Sequence, residues 1–131
     1  LVGRKQFMDK ALRVRKILGG GMRQVGYLAA AGLYAIENNL QRLAIDHQRA
    51  KELASGFLSK NCIKSVNEVE TNIIILELDD SVNKQTIIDY FTEKEILFDW
   101  NSMGLKNIRI VTHLNYTEHD HKHLLKVVDN L

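Results

Sequence analysis

The sequence predicts an α/β chain in which a helical segment, residues 1–39, precedes a small two-layer α/β domain, residues 40–131. Two observations lead to this prediction. Apolar residues recur with helical spacing along the first 39 positions. From about residue 61, strand and helix patterns follow one another in the order β-β-α-β-β-α, which is typical of helices packed on a sheet.

The helical segment is predicted to contain two helices joined by glycines. Residues 4–18 form an amphipathic pattern, with Phe7 and Leu12 on the apolar side, and the triple glycine at 19–21 ends it. A second helix is expected from about Met22 to residue 38. Its small residues, between 26 and 32, would let another backbone approach closely.

The remaining elements follow in order. A third helix is predicted at 40–58. Strands are predicted for IKSVNEV (63–69), TNIIILEL (71–78), ILFDW (96–100) and NIRIVTH (107–113), and helices for NKQTIIDYFTEKE (83–95) and TEHDHKHLLKVVDNL (117–131). Because apolar residues are consecutive from Ile73 to Leu76, both faces of that strand are expected to be covered. Thr117 and Asp120 resemble a capping box, with Asp in place of the usual Glu or Gln.

Composition limits the class of protein. Hydrophobic residues make up 45% and charged residues 26% of the chain, which is ordinary for a globular domain. No apolar run approaches the roughly 20 residues of a membrane span, and LVGRKQFMDK does not resemble a signal peptide. The lone Cys62 is expected to be a buried thiol. We expect a cytoplasmic protein without a membrane partner. The opening LVG suggests the end of a strand, and hence a piece of a longer chain.

Basic residues are concentrated in the first 23 positions, where only Asp9 opposes them: Arg4, Lys5, Lys10, Arg13, Arg15, Lys16 and Arg23. Such a block favours an anionic partner. Nucleic acid is not expected, because the remainder of the chain is net negative and no aromatic residues are interleaved with the basic ones.

The triple glycine allows two interpretations. It could form a tight connection between helices, or it could bring backbone N–H groups at a helix start close to a phosphate, with Arg23 adding a charge just inside the helix. The stretch GGGMRQ matches neither a Walker loop nor a dinucleotide-binding turn.

Two further motifs carry candidate functional residues. In HDHKH, His119 and His123 are four residues apart on one helical face, as paired metal ligands would be, whereas His121 points toward the apolar stripe. No further ligand is apparent, so a solvated helix is the preferred interpretation and no metal is expected.

In NIRIVTH, Arg109 alternates with apolar neighbours, and such an arginine usually pairs with a carboxylate. An edge-strand arginine in water is the alternative.

Together these segments resemble the low-specificity L-threonine aldolase family of pyridoxal-phosphate lyases, which have the aspartate-aminotransferase fold, fold type I. The stretch RVRKILGGGMRQVGYLAAAGLYAIENNLQRLAIDHQRAKELA resembles the region that follows the coenzyme-binding lysine in that family. VETNIII and IRIVTH resemble, in the same order, two strand motifs of its small C-terminal domain. The resemblance implies that residues 1–39 are the tail of the large catalytic domain with the neck helix, and that residues 40–131 are the small domain.

The resemblance also implies an activity, the cleavage of L-threonine or L-allo-threonine to glycine and acetaldehyde with pyridoxal 5'-phosphate. Arg109 then matches the arginine that binds the substrate carboxylate. Lys16 and Arg23 match basic positions near the coenzyme phosphate or the active site. A homotetramer, a dimer of dimers, is implied as well.

The coenzyme-binding lysine would precede LVG, and no lysine of the chain lies in the family's Ser-Lys-Gly context. The chain alone is therefore predicted to be inactive and not to bind the coenzyme covalently; the alternative is an inactive module that associates with other subunits.

Overall fold

In a computed structural model, residues 2–99 and 103–131 are described, and they form five helices and a three-stranded sheet. The chain divides into two compact units, Leu1–Leu40 and Gln41–Leu131. The first unit contains only helices and the second contains the whole sheet. The described chain is therefore of α/β composition, as predicted.

The first unit consists of two exposed helices, α1 (Lys5–Ile17) and α2 (Gly26–Asn38). None of their described residues is buried. Helix α2 begins at Gly26 rather than near Met22 as predicted. The intervening residues form a turn in which Gln24 has a positive φ of 51°, and this conformation interrupts helical geometry.

The triple glycine closes helix α1, as predicted. Gly19 has a φ of +83°, the left-handed conformation that glycine adopts without a steric penalty. The N–H of Gly20 donates to the carbonyl of Arg15 at 2.7 Å, and the N–H of Gly19 donates to the carbonyl of Lys16 at 3.2 Å. These are the two hydrogen bonds of a Schellman motif. A Cβ on Gly20 would lie only 2.7 Å from Cγ of Arg15, so this second glycine is required by close approach.

The second unit has three helices and three strands. They are α3 (Leu43–Leu58), β1 (Ile63–Val66), β2 (Ile73–Leu78), α4 (Lys84–Thr92), β3 (Asn107–Val111) and α5 (Glu118–Asp129). The sheet has the order β1-β2-β3, and both neighbouring pairs are antiparallel. Strand β3 therefore lies at the edge of this sheet, and its Arg109 pairs with Ile75 of β2.

One face of the sheet is buried beneath helices. Helix α3 contacts β1, β2 and α5. The core combines residues from the sheet and all three helices, among them Leu53, Phe57, Ile74, Leu76, Leu78, Phe91, Ile108, Ile110, Leu124 and Val128. Cys62 is only half-buried, at the edge of this core, where burial raises the pKa of its thiol.

The opposite face of the sheet is only partly covered within the described chain, so the predicted cover on both faces of β2 is not provided by the described residues. Burial alternates along β2, and Ile73 and Val111 are exposed. The isoleucine run indicated burial on both sides, but the helices of this unit pack on one side only. The open face includes Arg109, which shares it with Val111.

The predicted strand ILFDW was wrong for its described residues, and the order after residue 61 is β-β-α-β-α instead of β-β-α-β-β-α. Residues 96–98 have no strand structure, and Asp99 forms only an isolated antiparallel bridge with Arg109. Trp100 lies outside the described residues. The apolar pattern has another cause: the ring of Phe98 packs on Phe91, with centroids 5.1 Å apart, and Ile96 and Phe98 pack against the core from a loop.

The last helix begins as predicted. The Thr117 hydroxyl accepts a hydrogen bond from the N–H of Asp120, while the Asp120 carboxylate accepts one from the N–H of Thr117. This reciprocal pair is a capping box and fixes the start of α5. Among the described residues, no helix is long and apolar enough to cross a membrane.

Candidate functional site

The candidate site is a cleft of about 420 Å³ in the second unit. It lies between the segment that follows α4, the edge strand β3 and the start of α5. Its apolar wall includes Leu53, Phe98 and Leu124. The polar and titratable residues that line it are Glu95, Asp99, Arg109, Thr112, His113, Tyr116, Asp120 and His123.

Arg109 lies on the wall of this cleft because strand alternation turns it away from the core. Its neighbours Ile108 and Ile110 are buried, as predicted, whereas the Arg109 side chain is 43% exposed. The guanidinium is therefore half-exposed, because the sheet face that carries it is open in the described chain. Its Nη2 lies 3.8 Å from Oδ2 of Asp99, an ion pair beyond hydrogen-bond distance.

His113 extends the same wall beyond the end of β3. Its Nδ1 accepts a hydrogen bond from the backbone N–H of Asn115 at 3.2 Å. When this imidazole is neutral, the proton must then reside on Nε2, which makes Nε2 a donor. The cleft thus combines a fixed cation at Arg109 with a hydrogen-bond donor at His113.

Behind the cleft, a hydrogen-bonded chain joins Tyr116, His121 and Glu52. His121 is buried, with its side chain 4% exposed, and lies on the apolar side of α5, as predicted. Its Nε2 lies 2.7 Å from Oε2 of Glu52, and its Nδ1 lies 3.1 Å from the Tyr116 hydroxyl. A carboxylate only accepts, so Nε2 carries a proton, and a neutral His121 accepts the Tyr116 O–H at Nδ1.

The pKa shifts along this chain fit that arrangement. Burial raises the pKa of Tyr116, so its hydroxyl stays protonated near neutral pH. Hydrogen bonds from Gln48 and then from His121 lower the pKa of Glu52, which keeps the carboxylate charged. The guanidinium of Arg49, a residue of α3, donates a hydrogen bond to the backbone carbonyl of Tyr116. This bond holds Tyr116 against α3.

The two outer histidines of HDHKH do not form a metal site with the described residues. His119 is almost fully exposed, and its Nδ1 lies 3.7 Å from Oδ1 of Asp120. Nε2 of His123 lies 3.2 Å from the carbonyl of Lys94. Over residues 2–99 and 103–131, no group of three or more His, Cys, Asp or Glu side chains is placed to hold a metal ion.

Lys16 and Arg23 both belong to the first unit. Lys16 is exposed in the last turn of α1. Arg23 is also exposed and precedes α2, so it is not inside the helix start as predicted, because α2 begins three residues later. Their assignment to coenzyme phosphate or active-site electrostatics stays a prediction.

The donor set of the cleft suits a carboxylate better than a coenzyme. Of the described residues that line it, Arg109 is the sole lysine or arginine, so this cleft offers no amine for covalent attachment. A guanidinium can hold both oxygens of a carboxylate with two parallel hydrogen bonds. The coenzyme itself does not fit these lining residues.

Sequence patterns missed several residues of the site. Asp99 lies in a segment predicted as a strand and was not singled out, because its pairing with Arg109 depends on chain folding across ten positions. Glu52 and Tyr116 were missed for the same reason, since 69 positions separate Glu52 from His121. The apolar position of His121 on α5 was the available signal that a buried histidine needs polar partners.

Comparison with known proteins agrees with the resemblance seen in the sequence. The beta-eliminating lyase family matches residues 1–81. The low-specificity L-threonine aldolase 1 of Arabidopsis thaliana is 40% identical over 123 residues, covering 92% of this chain and 34% of that protein. The low specificity L-threonine aldolase of Escherichia coli K12 is 35% identical over 115 residues, covering 88% of this chain and 32% of that protein.

A third relative carries a different name. Alanine racemase TOXG of Cochliobolus carbonum is 35% identical over 108 residues, covering 76% of this chain and 28% of that protein. The chain spans about a third of the length of the curated aldolases it matches. On the family match and these relatives, the chain belongs to the beta-eliminating lyase family and is similar over most of its length to low-specificity L-threonine aldolases.

Proposed function

We propose that this chain is the C-terminal part of a pyridoxal-phosphate-dependent threonine aldolase that cleaves L-threonine or L-allo-threonine to glycine and acetaldehyde. In that role residues 1–39 end the large domain of a fold-type-I enzyme, and residues 40–131 form its small domain. The similarity to two aldolases supports the reaction. The lysine that binds the coenzyme lies outside these residues, so the chain by itself is inactive.

Arg109 is the residue that we assign to the substrate carboxylate. The observation that supports this role is its position: a half-exposed guanidinium on the wall of a cleft in which no other described lining residue is a lysine or arginine. Threonine and alanine, which the relatives' names mention, both have an α-carboxylate, so one such contact serves either reaction. Holding that carboxylate fixes rotation about the α-carbon and thereby selects which bond is broken.

The test is kinetic and uses the protein that carries this chain in its cell, supplied with coenzyme. Arg109→Ala should raise the KM for L-threonine while coenzyme absorbance is retained. Loss of a charge-assisted hydrogen bond costs about 1.5 to 3 kcal/mol, which corresponds to a roughly 10- to 150-fold rise. Arg109→Lys should recover part of the loss, because it keeps the charge but not the two parallel hydrogen bonds.

Lys122→Ala provides the matched control, because Lys122 pairs with Glu118 on the surface and does not line the cleft. This variant should keep the wild-type KM. If Arg109→Ala kept it as well, Arg109 would have no role in substrate binding.

A second candidate function, an association module, is favoured by helix α2. This helix is apolar on most sides, yet Tyr27, Leu28, Leu33, Tyr34 and Ile36 are all exposed. A helix that is hydrophobic all round is normally buried against other protein. The family resemblance implies a dimer of dimers, and α2 is the described element best suited to contact another subunit.

Sedimentation of the 131-residue chain tests this candidate. We expect association that increases with protein concentration, and Leu33→Lys should shift the chain toward the monomer, because a lysine ammonium would have to be desolvated in the contact. Leu105→Lys is the control, since Leu105 is also an exposed leucine but belongs to the second unit. A chain that stays monomeric at all concentrations would rule out association through α2.

A further inference from the structure

We propose that Glu95 is the second anchor of the cleft, a carboxylate that binds the ammonium group of an amino acid whose own carboxylate is held by Arg109. With both anchors, the cleft selects zwitterionic α-amino acids over carboxylic acids that lack a positive charge. The inference rests on the proposed function in one respect, namely that Arg109 binds a carboxylate.

The backbone of Glu95 has a conformation that is unfavourable for a residue with a side chain. Its φ is +60°, in the left-handed region. The N–H of Glu95 donates to the carbonyl of Thr92, and the N–H of Ile96 donates to the carbonyl of Phe91, both at 3.0 Å. These are the two hydrogen bonds of a Schellman motif, in which the left-handed residue is usually glycine. The end of α4 therefore carries glutamate where glycine would have a lower steric cost.

Helix α1 ends with the same motif and does have glycine at the left-handed position, Gly19. The two positions differ in their surroundings, because Glu95 lines the cleft and Gly19 does not. Residues other than glycine that hold a strained backbone conformation cluster at active sites and ligand-binding clamps. The location of Glu95 on the cleft wall therefore points to a ligand for its carboxylate.

Glu95 also provides the cleft carboxylate that is available to a ligand. The Asp120 carboxylate accepts hydrogen bonds from the N–H and the hydroxyl of Thr117 at the start of α5. Asp99 forms an ion pair with Arg109. Within the described part of the chain, the exposed side chain of Glu95 makes no hydrogen bond or ion pair. Its carboxylate can therefore bind a cation without giving up another contact.

The charges of the cleft match those of an amino acid. Arg109 belongs to β3 and Glu95 to the segment that follows α4, so the positive and negative groups come from different walls of one cleft. An α-amino acid carries its ammonium and its carboxylate on the same carbon. A volume of about 420 Å³ is typical of small-molecule sites. The ligand can thus pair with both walls, whereas a carboxylic acid without the ammonium leaves Glu95 facing an anion.

Two isosteric ligands test this inference, N,N-dimethylglycine and isovalerate. They share a shape and a carboxylate, but only the first has a protonated nitrogen, and as a tertiary amine it cannot react covalently with pyridoxal phosphate. The test is a titration of the 131-residue chain with each ligand, followed by NMR at the side-chain Nε–H of Arg109. We expect N,N-dimethylglycine to bind about two- to five-fold more tightly, the range that an exposed ion pair allows.

Glu95→Gln should abolish this preference, because it keeps the size of the side chain and removes its charge. N,N-dimethylglycine should bind more weakly, and isovalerate should bind at least as tightly as before. Glu93→Gln is the matched control, because Glu93 is exposed at the same end of α4 and does not line the cleft. This variant removes the same net charge and should keep the preference of the native chain.

Glu95→Gly is a second variant, and it separates ligand binding from a structural role. It should lose the preference for N,N-dimethylglycine, yet unfold at a higher urea concentration than the native chain, because glycine suits the left-handed backbone. Lower stability together with equally weakened binding of both ligands would mean that Glu95 acts only through the fold, and this result would overturn the inference.

The outcomes separate the inference from the proposed function. Weaker binding of both ligands in Arg109→Ala, together with loss of the preference in both Glu95 variants, supports both. Weaker binding of both ligands in Arg109→Ala, with a preference that is absent from the native chain or unchanged in Glu95→Gln, overturns the role of Glu95 and leaves the Arg109 assignment intact. Isovalerate binding that survives Arg109→Ala, or no binding of either ligand by the native chain, overturns the assignment of Arg109 and the inference with it.

Discussion

At the residue scale, the buried His121 shows how polar groups are satisfied inside the second unit. Both of its ring nitrogens have a partner, Glu52 on α3 and Tyr116 in the segment before α5. An unpaired imidazole nitrogen in this position would carry the desolvation cost of a buried polar atom. The same contacts link α3 to the wall of the cleft, because Tyr116 lines it.

This chain of hydrogen bonds predicts a pH dependence of stability. Hydrogen bonds from Gln48 and His121 lower the folded-state pKa of Glu52 below its ordinary value of 4.5. As the pH falls, Glu52 therefore takes up its proton in the unfolded chain before it does so in the folded chain. The stabilisation that Glu52 contributes to the fold is complete above pH ~4.5 and is lost as the pH drops through the folded-state pKa.

Glu52→Gln tests this expectation. Urea unfolding followed at pH 7 and at lower pH should show a smaller decrease in the free energy of unfolding on acidification than in the wild type. Glu118 and Asp120 also have lowered pKa values, from hydrogen bonds with Arg49 and Thr117 respectively, so part of the acid dependence should remain. An unchanged acid profile in Glu52→Gln would contradict this role.

Arg109 illustrates how much of a residue's environment the sequence pattern can predict. Alternation with Ile108 and Ile110 correctly predicted the face on which it lies. The degree of burial was not predictable, because it depends on what covers the opposite face of the sheet, and strand periodicity contains no information about that. Local sequence patterns likewise could not identify Asp99 as the carboxylate partner, because the pairing depends on where the loop after α4 returns to β3.

At the element scale, the glycines between α1 and α2 make two different demands. Gly19 needs its left-handed conformation, but a Cβ there would meet nothing within 4 Å. Gly20 needs space, because a Cβ would lie 2.9 Å from the carbonyl oxygen of Arg15. The sequence predicted that the glycines end the helix. Which glycine provides the left-handed conformation and which provides space became clear only from the hydrogen bonds of the Schellman motif.

Alanine substitutions should separate these demands. Gly19→Ala should destabilise the end of α1 by about 1 to 2 kcal/mol through its backbone conformation. Gly20→Ala should disrupt the cap, because its Cβ clashes with Arg15. Hydrogen exchange of the amides of Leu18 and Gly20 in the 131-residue chain measures both effects. Gly32→Ala is the control: Gly32 lies inside α2 with nothing near its Cβ position, and it should gain about 0.5 to 1 kcal/mol of helix stability.

Equal protection of these amides in Gly19→Ala and in the wild type would show that the Schellman geometry does not hold the end of α1. A Gly32→Ala variant that loses helix content would show instead that α2 needs close backbone approach within this chain.

The boundaries of elements were predicted less well than their types. Every predicted helix of the second unit exists, and the capping box correctly marked the start of α5. The strand ILFDW failed over residues 96–98 because core packing by a loop produces the same apolar run as strand pairing. Tertiary packing, in this case of Phe98 on Phe91, decided between them.

At the scale of the whole molecule, apolar surfaces of the described chain lack cover, among them most of helix α2 and the open face of the sheet around Ile73 and Val111. The chain matches only about a third of the length of its aldolase relatives. We propose that the other parts of a threonine aldolase cover these surfaces and bring the coenzyme to Arg109.

We propose above all that the protein carrying this chain cleaves threonine. The most direct measurement isolates that protein from its source with an antibody against residues 118–131 and quantifies acetaldehyde released from L-threonine and L-allo-threonine in the presence of pyridoxal phosphate. We predict that acetaldehyde and glycine form in equal amounts, and that an Arg109→Ala version requires far more substrate. A protein that binds the coenzyme but releases no acetaldehyde from either amino acid would contradict the claim.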